Sequence, residues 1–584
     1  MPLAPRQGNP VPLEPPHIRA VGHSHATARN TREWHAIAPI GDDKGTPVPL
    51  TRRHGHPRAT RPTPMAPPCH SNHRRTMLRS PEGASNRLGA NGPPVSLADM
   101  PAEVAVVGSG PNGLAAAVTM ARAGLSVDVF ERNDWVGGGA STREITLPGF
   151  RHDLASAVHP MALASPFFQQ FELSRRIRLL VPEVSFAHPL PDGRVGVGHR
   201  DLQSAADAMG ADGPAYERLM RPLVDRIGQL TTLTSGALLQ RPVHPTAAAF
   251  FGARTLEQGC AVWRSRFSDE VAPAMLTGCA AHTIGRHPSL TTAAAGLLLT
   301  AHAHAAGWPV PEGGSQAISD ALATDLGTYG GAIHTGIGIT SAAQLKTYRT
   351  VLFDVSTKAL AALGGDRFST RYQCALRQLH HGNGVCKVDY ALDGPVPWTS
   401  AALRNTPTIH LGGTRDQIAA SECAVARGKL SDQPYVLVVQ PGVVDTTRAP
   451  AGKATLWAYT HVPFGSPLDR SEAMTAMIER LAPGFRDLIL AQTSTTASDF
   501  ATVSDNFAGG DFAVGAVTLR QLLRRPVLSP TPWRTPVDGW YLASSAASPG
   551  PSVHGLAGWH AASTALRDQY QLPPPDLGLE PAPA

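Results

Sequence analysis

The chain has 584 residues, a formal net charge of +6 and 42% hydrophobic residues, so it is long enough for more than one domain. The positive charge is confined to residues 1–100, which hold 13 Lys and Arg against 6 Asp and Glu, whereas the remainder holds 38 against 39. The composition therefore excludes a strongly basic surface for nucleic acid in the body of the protein, and no nucleic-acid partner is expected.

Residues 1–100 carry 17 of the 53 prolines and 8 of the 24 histidines, without a sustained helical or strand period. Such a segment cannot bury enough apolar surface to offset its ordering entropy, so we predict that it is disordered. Three interpretations stay open: an over-long start before Met100, a passive tail, or an Arg/His-rich tail that binds an acidic partner. The first twenty residues lack the apolar core of a signal peptide.

The stretch "VAVVGSGPNGLAAAVTMARAGLSVDVFER", residues 104–132, predicts a buried strand, a tight turn, a helix and a second strand. Gly108, Gly110 and Gly113 have GxGxxG spacing, and Glu131 ends the second strand. Such glycines permit the turn, a close approach to a pyrophosphate and helix packing, and the acid would hold ribose hydroxyls. The pattern predicts a dinucleotide site that favours a free 2′-hydroxyl over NADP. The alternative is an ordinary βαβ turn.

A second glycine cluster follows in "RNDWVGGGASTRE". Here the chain resembles the flavoprotein superfamily of phytoene desaturases, amine oxidases and Rab GDP-dissociation inhibitors, whose N-terminal fingerprint ends in a Gly-Gly turn beside FAD. The resemblance implies that the cofactor is FAD rather than NAD. The cofactor contacts implied in this half of the chain are Gly108, Gly110, Pro111, Asn112, Gly113, Glu131, Arg132, Gly138, Gly139, Ala140 and Ser141.

The stretch "TPVDGWYLASSAASPGPSVHGLAGWHAASTAL", residues 535–566, predicts a short strand, a glycine- and serine-rich turn and a helix. The N–H groups at such a helix N-terminus suit a pyrophosphate or a flavin carbonyl. The stretch resembles the C-terminal flavin segment of phytoene-desaturase-like oxidoreductases, but Pro551 replaces a glycine there and has no N–H to donate. The contacts implied are Ser544, Gly550, Val553, His554 and Gly555.

Several middle segments are similar to the phytoene-dehydrogenase-like NAD(P)/FAD-dependent oxidoreductases, among them "SAVHPMALASPFF", "GWPVPEGGSQAISDALATDL" and "GKATLWAYTHVPFGS". The resemblance implies an α/β fold in which a Rossmann-type FAD-binding domain is interleaved with an α+β substrate domain. The three FAD-binding parts are expected at 102–160, 307–360 and 495–570. The substrate domain is expected as helices at 161–306 and a sheet at 361–494, with 571–584 as a tail.

Four residues in the family-like segments are candidates for catalysis: His159, Tyr459, His461 and His554. His554 stands on the turn expected to touch the flavin, where an imidazole could shuttle a proton. For His554 and His159 a purely structural hydrogen bond is the alternative. Tyr459 and His461 alternate with Trp457 in a predicted strand, so these side chains share one face, which lies towards either the cavity or solvent.

The six cysteines have no zinc-like spacing and the histidine pairs lack a third ligand, so no metal site is expected. The scattered cysteines favour a reducing cytoplasm. The most apolar stretch, "TTAAAGLLLTAHAHAAGWPV", is too short and mixed to span a bilayer and predicts a buried helix. We expect a cytoplasmic protein, either soluble or peripheral to a membrane.

The resemblance implies that two electrons pass from an apolar carotenoid- or lipid-like substrate to FAD, which creates a C=C bond. No second GxGxxG occurs in a strand-helix context, so an external acceptor such as oxygen, a quinone or NAD(P) is expected to reoxidise the flavin. Two alternatives remain: a flavin-dependent isomerase or saturase, and a non-catalytic lipid-binding protein on the same fold. The sequence identifies neither the substrate nor the oligomeric state.

Overall fold

The computed structural model describes residues 102–579. The predictions for residues 1–100, and for the final residues 580–584 of the predicted tail, lie outside this part of the chain. In residues 102–579 no helix has the length and apolar character needed to cross a membrane. The apolar stretch singled out above forms a buried helix, Leu290–Ala305, which begins at a capping box between Ser289 and Thr292.

The strands form four sheets, of five, seven, two and two strands. In chain order they are β1 (Val104–Val107), β2 (Val127–Phe130), β3 (Thr142–Arg143), β4 (His152–Asp153), β5 (Leu179–Leu180), β6 (Val184–Pro189), β7 (Val195–His199), β8 (Val310–Pro311), β9 (Ala332–His334), β10 (Thr350–Phe353), β11 (Gly384–Leu392), β12 (Thr408–Leu411), β13 (Val436–Val439), β14 (Ala454–Val462), β15 (Ile489–Thr495) and β16 (Trp540–Leu542).

The α-helices connect and cover these sheets. In chain order they are α1 (Pro111–Arg122), α2 (Pro160–Ala164), α3 (Pro166–Gln170), α4 (Leu173–Arg176), α5 (Leu202–Asp207), α6 (Gly213–Val224), α7 (Ile227–Thr234), α8 (Pro245–Gly259), α9 (Val271–Ala281), α10 (Leu290–Ala305), α11 (Gln316–Thr328), α12 (Thr357–Gly364), α13 (Thr370–Arg377), α14 (Ala401–Arg404), α15 (Arg415–Ala426), α16 (Ser471–Leu481), α17 (Leu519–Leu523) and α18 (Leu556–Ala565).

The five-stranded sheet is parallel throughout, in the order β16-β10-β1-β2-β9. Strand β1 and its neighbours β2 and β10 are buried at every position, as expected for a parallel sheet covered on both faces. Helix α1 starts with Pro111 directly after Gly110 and ends before Gly124, which has a φ of +87°. The predicted α/β fold with a Rossmann-type domain is confirmed.

The seven-stranded sheet has the order β15-β11-β14-β13-β12-β6-β7 and is mostly antiparallel. Strands β6 and β7 come from residues 184–199, inside the segment predicted to be helical. Strand β6 joins this sheet through a parallel pairing with β12, which is more than 200 residues further along the chain, so no local pattern announces it. The predicted helical segment therefore contributes two strands to the second sheet.

Each face of the seven-stranded sheet packs on a different core. One face, with Leu437, Val439 and Trp457, joins the core that contains the parallel sheet, whereas the other packs against α16 through Met474 and Ile478. Burial on both faces explains why β11 is buried at all nine positions.

The predicted tail also departs from expectation, because Leu577 is fully buried and Arg122 donates to the carbonyl of Gly578 at 2.8 Å.

Candidate functional site

One large cavity, of about 1130 Å³, begins at the carboxyl edge of the parallel sheet and continues along the seven-stranded sheet and helices α8 and α10. Ligands of open α/β sheets bind at this edge, outside the carboxyl ends of the strands. A pocket for one small ligand has about 300–1,000 Å³. The cavity is therefore large enough to hold a cofactor together with a substrate.

Residues 108–113, which we call the glycine loop, pack closely against their neighbours at the end of β1. A Cβ atom on Gly110 would lie 2.5 Å from the Asp354 carboxylate, and one on Gly138 would lie 3.1 Å from the Cα of Gly110. Both glycines line the cavity, so the two glycine turns lie against each other and present backbone atoms, without side chains, to the cavity. The close approach leaves the N-terminal end of α1 accessible to an anionic group such as a pyrophosphate.

Glu131 follows β2 and lines the same end of the cavity. Its Oε2 accepts hydrogen bonds from the N–H of Ser109 at 3.0 Å and the hydroxyl of Ser109 at 2.7 Å, and its Oε1 accepts from the N–H of Asn133 at 3.0 Å. These bonds hold the carboxylate in place. A carboxylate offers about four acceptor positions, so Glu131 retains capacity for a ribose hydroxyl.

Asp354 is a site residue that the sequence analysis did not identify. It follows β10 directly, lines the cavity, and accepts a hydrogen bond from the N–H of Gly113 at 3.0 Å. Burial, reinforced by the nearby charge of Glu131, raises the pKa of Asp354 to about 7. The sequence signal that could have identified Asp354 is an acid immediately after a third buried strand, because the carboxyl ends of parallel strands lie at one edge of the sheet.

The C-terminal turn completes this end of the cavity, and Pro549, Pro551, Ser552, Val553 and His554 line it. The turn is held from behind by Arg525, a buried side chain that donates to the carbonyls of Ser545 at 2.7 Å and Ala513 at 2.5 Å. Burial lowers the pKa of Arg525 to about 10, so its guanidinium stays charged at neutral pH.

The predicted cofactor residues divide into two groups. Those that line the cavity are Gly108, Gly110, Pro111, Asn112, Glu131, Arg132, Gly138, Gly139, Val553 and His554. The others stand behind the lining. Ser141 donates to the carbonyl of Gly138 at 2.7 Å, Ser544 donates to the carbonyl of Val355 at 2.6 Å, and the carbonyl of Ala140 accepts from Ser319 at 3.0 Å. Gly113, Gly550 and Gly555 likewise shape the turns without lining the cavity.

His554 has both ring nitrogens engaged with the backbone. Its Nε2 donates to the carbonyl of Gly550 at 3.2 Å, and its Nδ1 accepts from the N–H of Leu556 at 3.0 Å. Burial lowers the pKa of His554 to about 4, so the ring is neutral. In this arrangement His554 fixes the turn and the start of α18, and no ring nitrogen is left for a proton shuttle.

Trp457, Tyr459 and His461 share one face of β14, and their neighbouring rings lie 5.6 Å apart between centroids. Trp457 and Tyr459 line the cavity, whereas His461 does not. The Nδ1 of His461 lies 2.7 Å from the carboxylate of Glu422, on the neighbouring helix α15. Burial raises the pKa of Tyr459, so its hydroxyl stays protonated.

His159 lines the cavity and has a defined tautomer. Its Nε2 lies 2.7 Å from the hydroxyl of Ser315, and that hydroxyl donates its own hydrogen to the carbonyl of Ser156. Ser315 must therefore accept from His159, so the hydrogen of the ring is on Nε2 and the lone pair is on Nδ1. Burial lowers the pKa of His159 to about 4, which keeps the imidazole neutral.

A buried ionic network supports Ser315. Its N–H donates to Asp153 at 2.9 Å, and Asp153 pairs with Arg448 at 2.5 Å. The hydroxyl of Thr142 also donates to Asp153, at 2.6 Å. The Arg448 charge and these hydrogen bonds outweigh the cost of burial and hold the pKa of Asp153 below its usual range. Ser315 is thus held in place for its contact with His159.

The far wall of the cavity is predominantly apolar, although Thr255, Thr291, His302 and Thr408 also line it. Residues of α10 that line it recur at helical spacing, so one face of the helix is presented to the cavity. These residues, with those of α8 and the sheet, are Ala248, Phe251, Leu256, Leu290, Ala294, Ala295, Leu298, Leu299, Leu437 and Val439. The acids among the lining residues, Glu131, Asp354 and Asp505, lie at or beside the dinucleotide end. The far wall offers no carboxylate to a cationic amine.

Several buried polar atoms that line the cavity have no hydrogen-bond partner in the described part of the chain. They are Asn112 Oδ1, His159 Nδ1, Thr255 Oγ1, Thr408 Oγ1 and Trp457 Nε1. Leaving such atoms unpaired costs free energy, so they point to a bound group. Asn112 stands at the start of α1, beside the glycine loop. With Glu131 and the bare glycine turns, it makes this end of the cavity fit a flavin dinucleotide.

Comparisons with known proteins agree with this architecture. Residues 106–171 match the model of the NAD(P)-binding Rossmann-like domain. The mouse pyridine nucleotide-disulfide oxidoreductase domain-containing protein 2 is 28% identical, over 85% of this chain and 97% of the mouse protein. A 4,4′-diapolycopen-4-al dehydrogenase of Metabacillus indicus is 26% identical over 132 residues, which are 21% of this chain and 26% of that enzyme.

Among solved structures, an engineered putrescine oxidase superposes with a TM-score of 0.51 at 18% identity, over 80% of this chain and 98% of that one. This likeness shows the fold, which the chain shares with that putrescine oxidase. Fold, glycine loop and relatives together define the class of protein. The chain is an oxidoreductase built on a Rossmann-type nucleotide-binding domain.

Proposed function

We propose that the chain is an FAD-dependent oxidoreductase that removes two electrons from an apolar, carotenoid- or lipid-like substrate and forms a C=C bond. The observation that carries the proposal is one continuous cavity, which extends from the glycine loop to a predominantly apolar wall. The ribose would be held by Glu131, the pyrophosphate by the start of α1, and the flavin by the glycine turns and the C-terminal turn.

The apolar wall supports the substrate class. A long hydrocarbon gains free energy when it leaves water for the surfaces of α8 and α10. A primary amine, which is the chemistry named for the putrescine oxidases, would need a counter-ion that this wall lacks. The name of the Metabacillus relative, a dehydrogenase of a diapolycopene aldehyde, is consistent with an apolar polyene.

Bound flavin would supply a two-electron acceptor, so that a hydride equivalent would leave one carbon of the substrate and a proton would leave the adjacent carbon. His159 Nδ1 is the atom we assign to take up that proton, because it carries a lone pair and has no protein partner in the described chain. Ser315 keeps the proton of the ring on Nε2, and the apolar wall excludes water.

The absorption spectrum of the purified full-length chain tests the cofactor. Bound flavin gives bands near roughly 370 and 450 nm that disappear on anaerobic addition of an apolar substrate and return with an electron acceptor. Release of FAD on denaturation identifies the nucleotide. A chain that stays colourless after incubation with FAD would contradict the proposal and favour a non-catalytic lipid-binding protein.

A further inference from the structure

Exposed large hydrophobic side chains are concentrated in three segments of the described chain. Of the twelve such residues, six are Leu238, Leu239, Val243, Leu256, Leu519 and Leu528. Val243 is 75% exposed, Leu528 is 63% exposed and Leu256 is 55% exposed. Soluble monomers rarely expose contiguous apolar patches larger than a few hundred Å², and such patches mark interaction sites.

Three of the six residues mark an opening of the cavity, and the other three lie in the same or a contacting segment. Leu238, Leu256 and Leu519 line the cavity and are also exposed, so they lie where the cavity meets the surface. The loop that carries Leu239 and Val243 contacts the segment after Leu528, because Gln240 donates to the carbonyl of Pro530 at 3.3 Å. We call these six residues the mouth patch.

The unpaired exposed charge around the mouth patch is positive. Residues 235–256 and 516–534 contain six arginines and no Asp or Glu, but Arg254 pairs with Glu257, Arg534 pairs with Asp568 and Arg525 is buried. Arg241 and Arg520 are exposed, and neither forms an ion pair with any residue of the described chain. This combination of apolar side chains and unpaired arginines fits the boundary between lipid headgroups and acyl chains.

We propose that the mouth patch docks the protein on an anionic lipid bilayer. The leucines and Val243 enter the headgroup region, while Arg241 and Arg520 meet lipid phosphates. The bilayer is favoured over a protein partner because the patch is continuous with a predominantly apolar cavity, and because Arg241 and Arg520 are exposed cations beside it without an ion pair in the described chain. Docking goes beyond the proposed function: an apolar substrate would pass from lipid to cavity, but the surface itself does not depend on that substrate.

Vesicle flotation of the full-length chain tests the docking. We expect partition onto phosphatidylcholine vesicles that contain phosphatidylglycerol, with weaker partition at 1 M salt, because salt screens the arginines. The double variant Val243→Asp/Leu528→Asp should lower the partition coefficient about tenfold or more, and Arg241→Gln/Arg520→Gln should lower it on anionic vesicles only. Neither pair lines the cavity. Leu490→Asp, on the exposed edge strand β15 and 46% exposed, is the matched control.

Residues 1–100 are basic, but they are identical in all these variants, so their contribution to vesicle binding cancels. Equal partition of wild type and the Asp variants would overturn the proposal. So would a change in sedimentation coefficient of the Asp variants without vesicles, since it would identify the patch as an interface with a second copy. A flavin-free chain that still loses partition on Val243→Asp/Leu528→Asp would refute the proposed function and uphold the docking.

Discussion

Two buried acids at the carboxyl edge of the parallel sheet, Glu131 and Asp354, show how the surroundings of a single side chain determine its charge. Glu131 accepts three hydrogen bonds from N–H and O–H donors. Asp354 lies beside it and accepts from the N–H of Gly113, yet burial and the Glu131 charge raise its pKa to about 7. Near neutral pH, a change of one unit therefore changes the charge beneath the glycine loop.

The pKa of Asp354 predicts pH-dependent cofactor binding. A bound pyrophosphate adds negative charge and favours protonated Asp354, so affinity for FAD should fall by about tenfold per pH unit above pH 7. Asp354→Asn keeps an acceptor for Gly113 and cannot ionise, so its affinity should be flat from pH 7 to 9. Fluorescence titration of FAD at each pH measures both. Parallel slopes for wild type and variant would contradict the assignment.

The same shift predicts a stability trend for the unliganded chain. Because Asp354 holds its proton in the folded state up to about pH 7, whereas an unfolded Asp loses it near pH 4, the free energy of unfolding should fall as pH rises through this window. Urea denaturation at pH 5 and pH 8 should show that Asp354→Asn gains stability relative to wild type at the higher pH. An equal difference in the free energy of unfolding between variant and wild type at both pH values would show that the effect does not come from titration of Asp354.

His159 predicts a separation of binding from chemistry. His159→Gln removes the Nδ1 lone pair, so the rate of flavin reduction should fall by about 10²- to 10⁴-fold while FAD affinity changes little. His282→Gln is the control, because His282 also lines the cavity but its Nε2 already lies 3.0 Å from His410 Nε2. Stopped-flow reduction with an apolar substrate gives the comparison. An unchanged rate of flavin reduction in His159→Gln would show that a different group accepts the proton.

At the scale of elements, the contact between α1 and α18 joins the two ends of the described chain. Gly558 permits this contact, because a Cβ atom there would overlap the carbonyl oxygen of Asn112 in α1. The N-terminal glycine loop and the C-terminal turn face each other across the cavity only if these helices approach closely. The pairing therefore determines whether the dinucleotide end of the cavity is complete.

Gly558→Ala should separate α18 from α1, lower the free energy of unfolding by about 1–3 kcal/mol and weaken FAD binding. Gly327→Ala is a matched control, because Gly327 also lies inside a helix, α11, and a Cβ atom there meets no atom within 4 Å. The control should be neutral or stabilising, since alanine favours helices. Thermal and urea denaturation measure both variants, and similar losses in the two would argue against the helix contact.

At the scale of the whole molecule, a buried ion pair connects the Rossmann-type part to the second sheet. Arg448 precedes β14 of the seven-stranded sheet, and its partner Asp153 lies in β4, six residues before the cavity residue His159. Arg448 and Asp153 are both almost fully buried. Removal of Arg448 would leave the buried Asp153 carboxylate without its ion-pair partner, although the hydrogen bonds from Thr142 and Ser315 would remain.

Arg448→Met should lower the free energy of unfolding by about 3–5 kcal/mol, and Arg448→Met/Asp153→Asn should recover part of the loss. Because the pKa of Asp153 is lowered by folding, its contribution is present above about pH 4 and is lost as pH falls. Urea denaturation of wild type, Arg448→Met, Asp153→Asn and the double variant, at pH 7 and at about pH 3, measures this double-mutant cycle. Additive losses in the double variant would show that the two charges do not interact.

The first βαβ unit, the glycine loop and the acid after β2 were predictable from local patterns, because each rests on spacing within about thirty residues. The buried helix Leu290–Ala305 was predictable for the same reason, since its apolar length and flanking polar residues are local. The shared face of Trp457, Tyr459 and His461 followed from strand alternation. Local patterns of this kind depend only on backbone periodicity.

Which of these side chains line the cavity depends on how distant segments pack together. Strand β14 turns Tyr459 to the cavity but pairs His461 with Glu422, and His554 uses both nitrogens on its own turn. The partner of His159 is Ser315, which lies 156 residues further along the chain. Such contacts join distant segments when sheets and helices pack, and no periodicity within a segment encodes them. For this reason, the sequence indicated the nucleotide site, and packing assigned the roles within it.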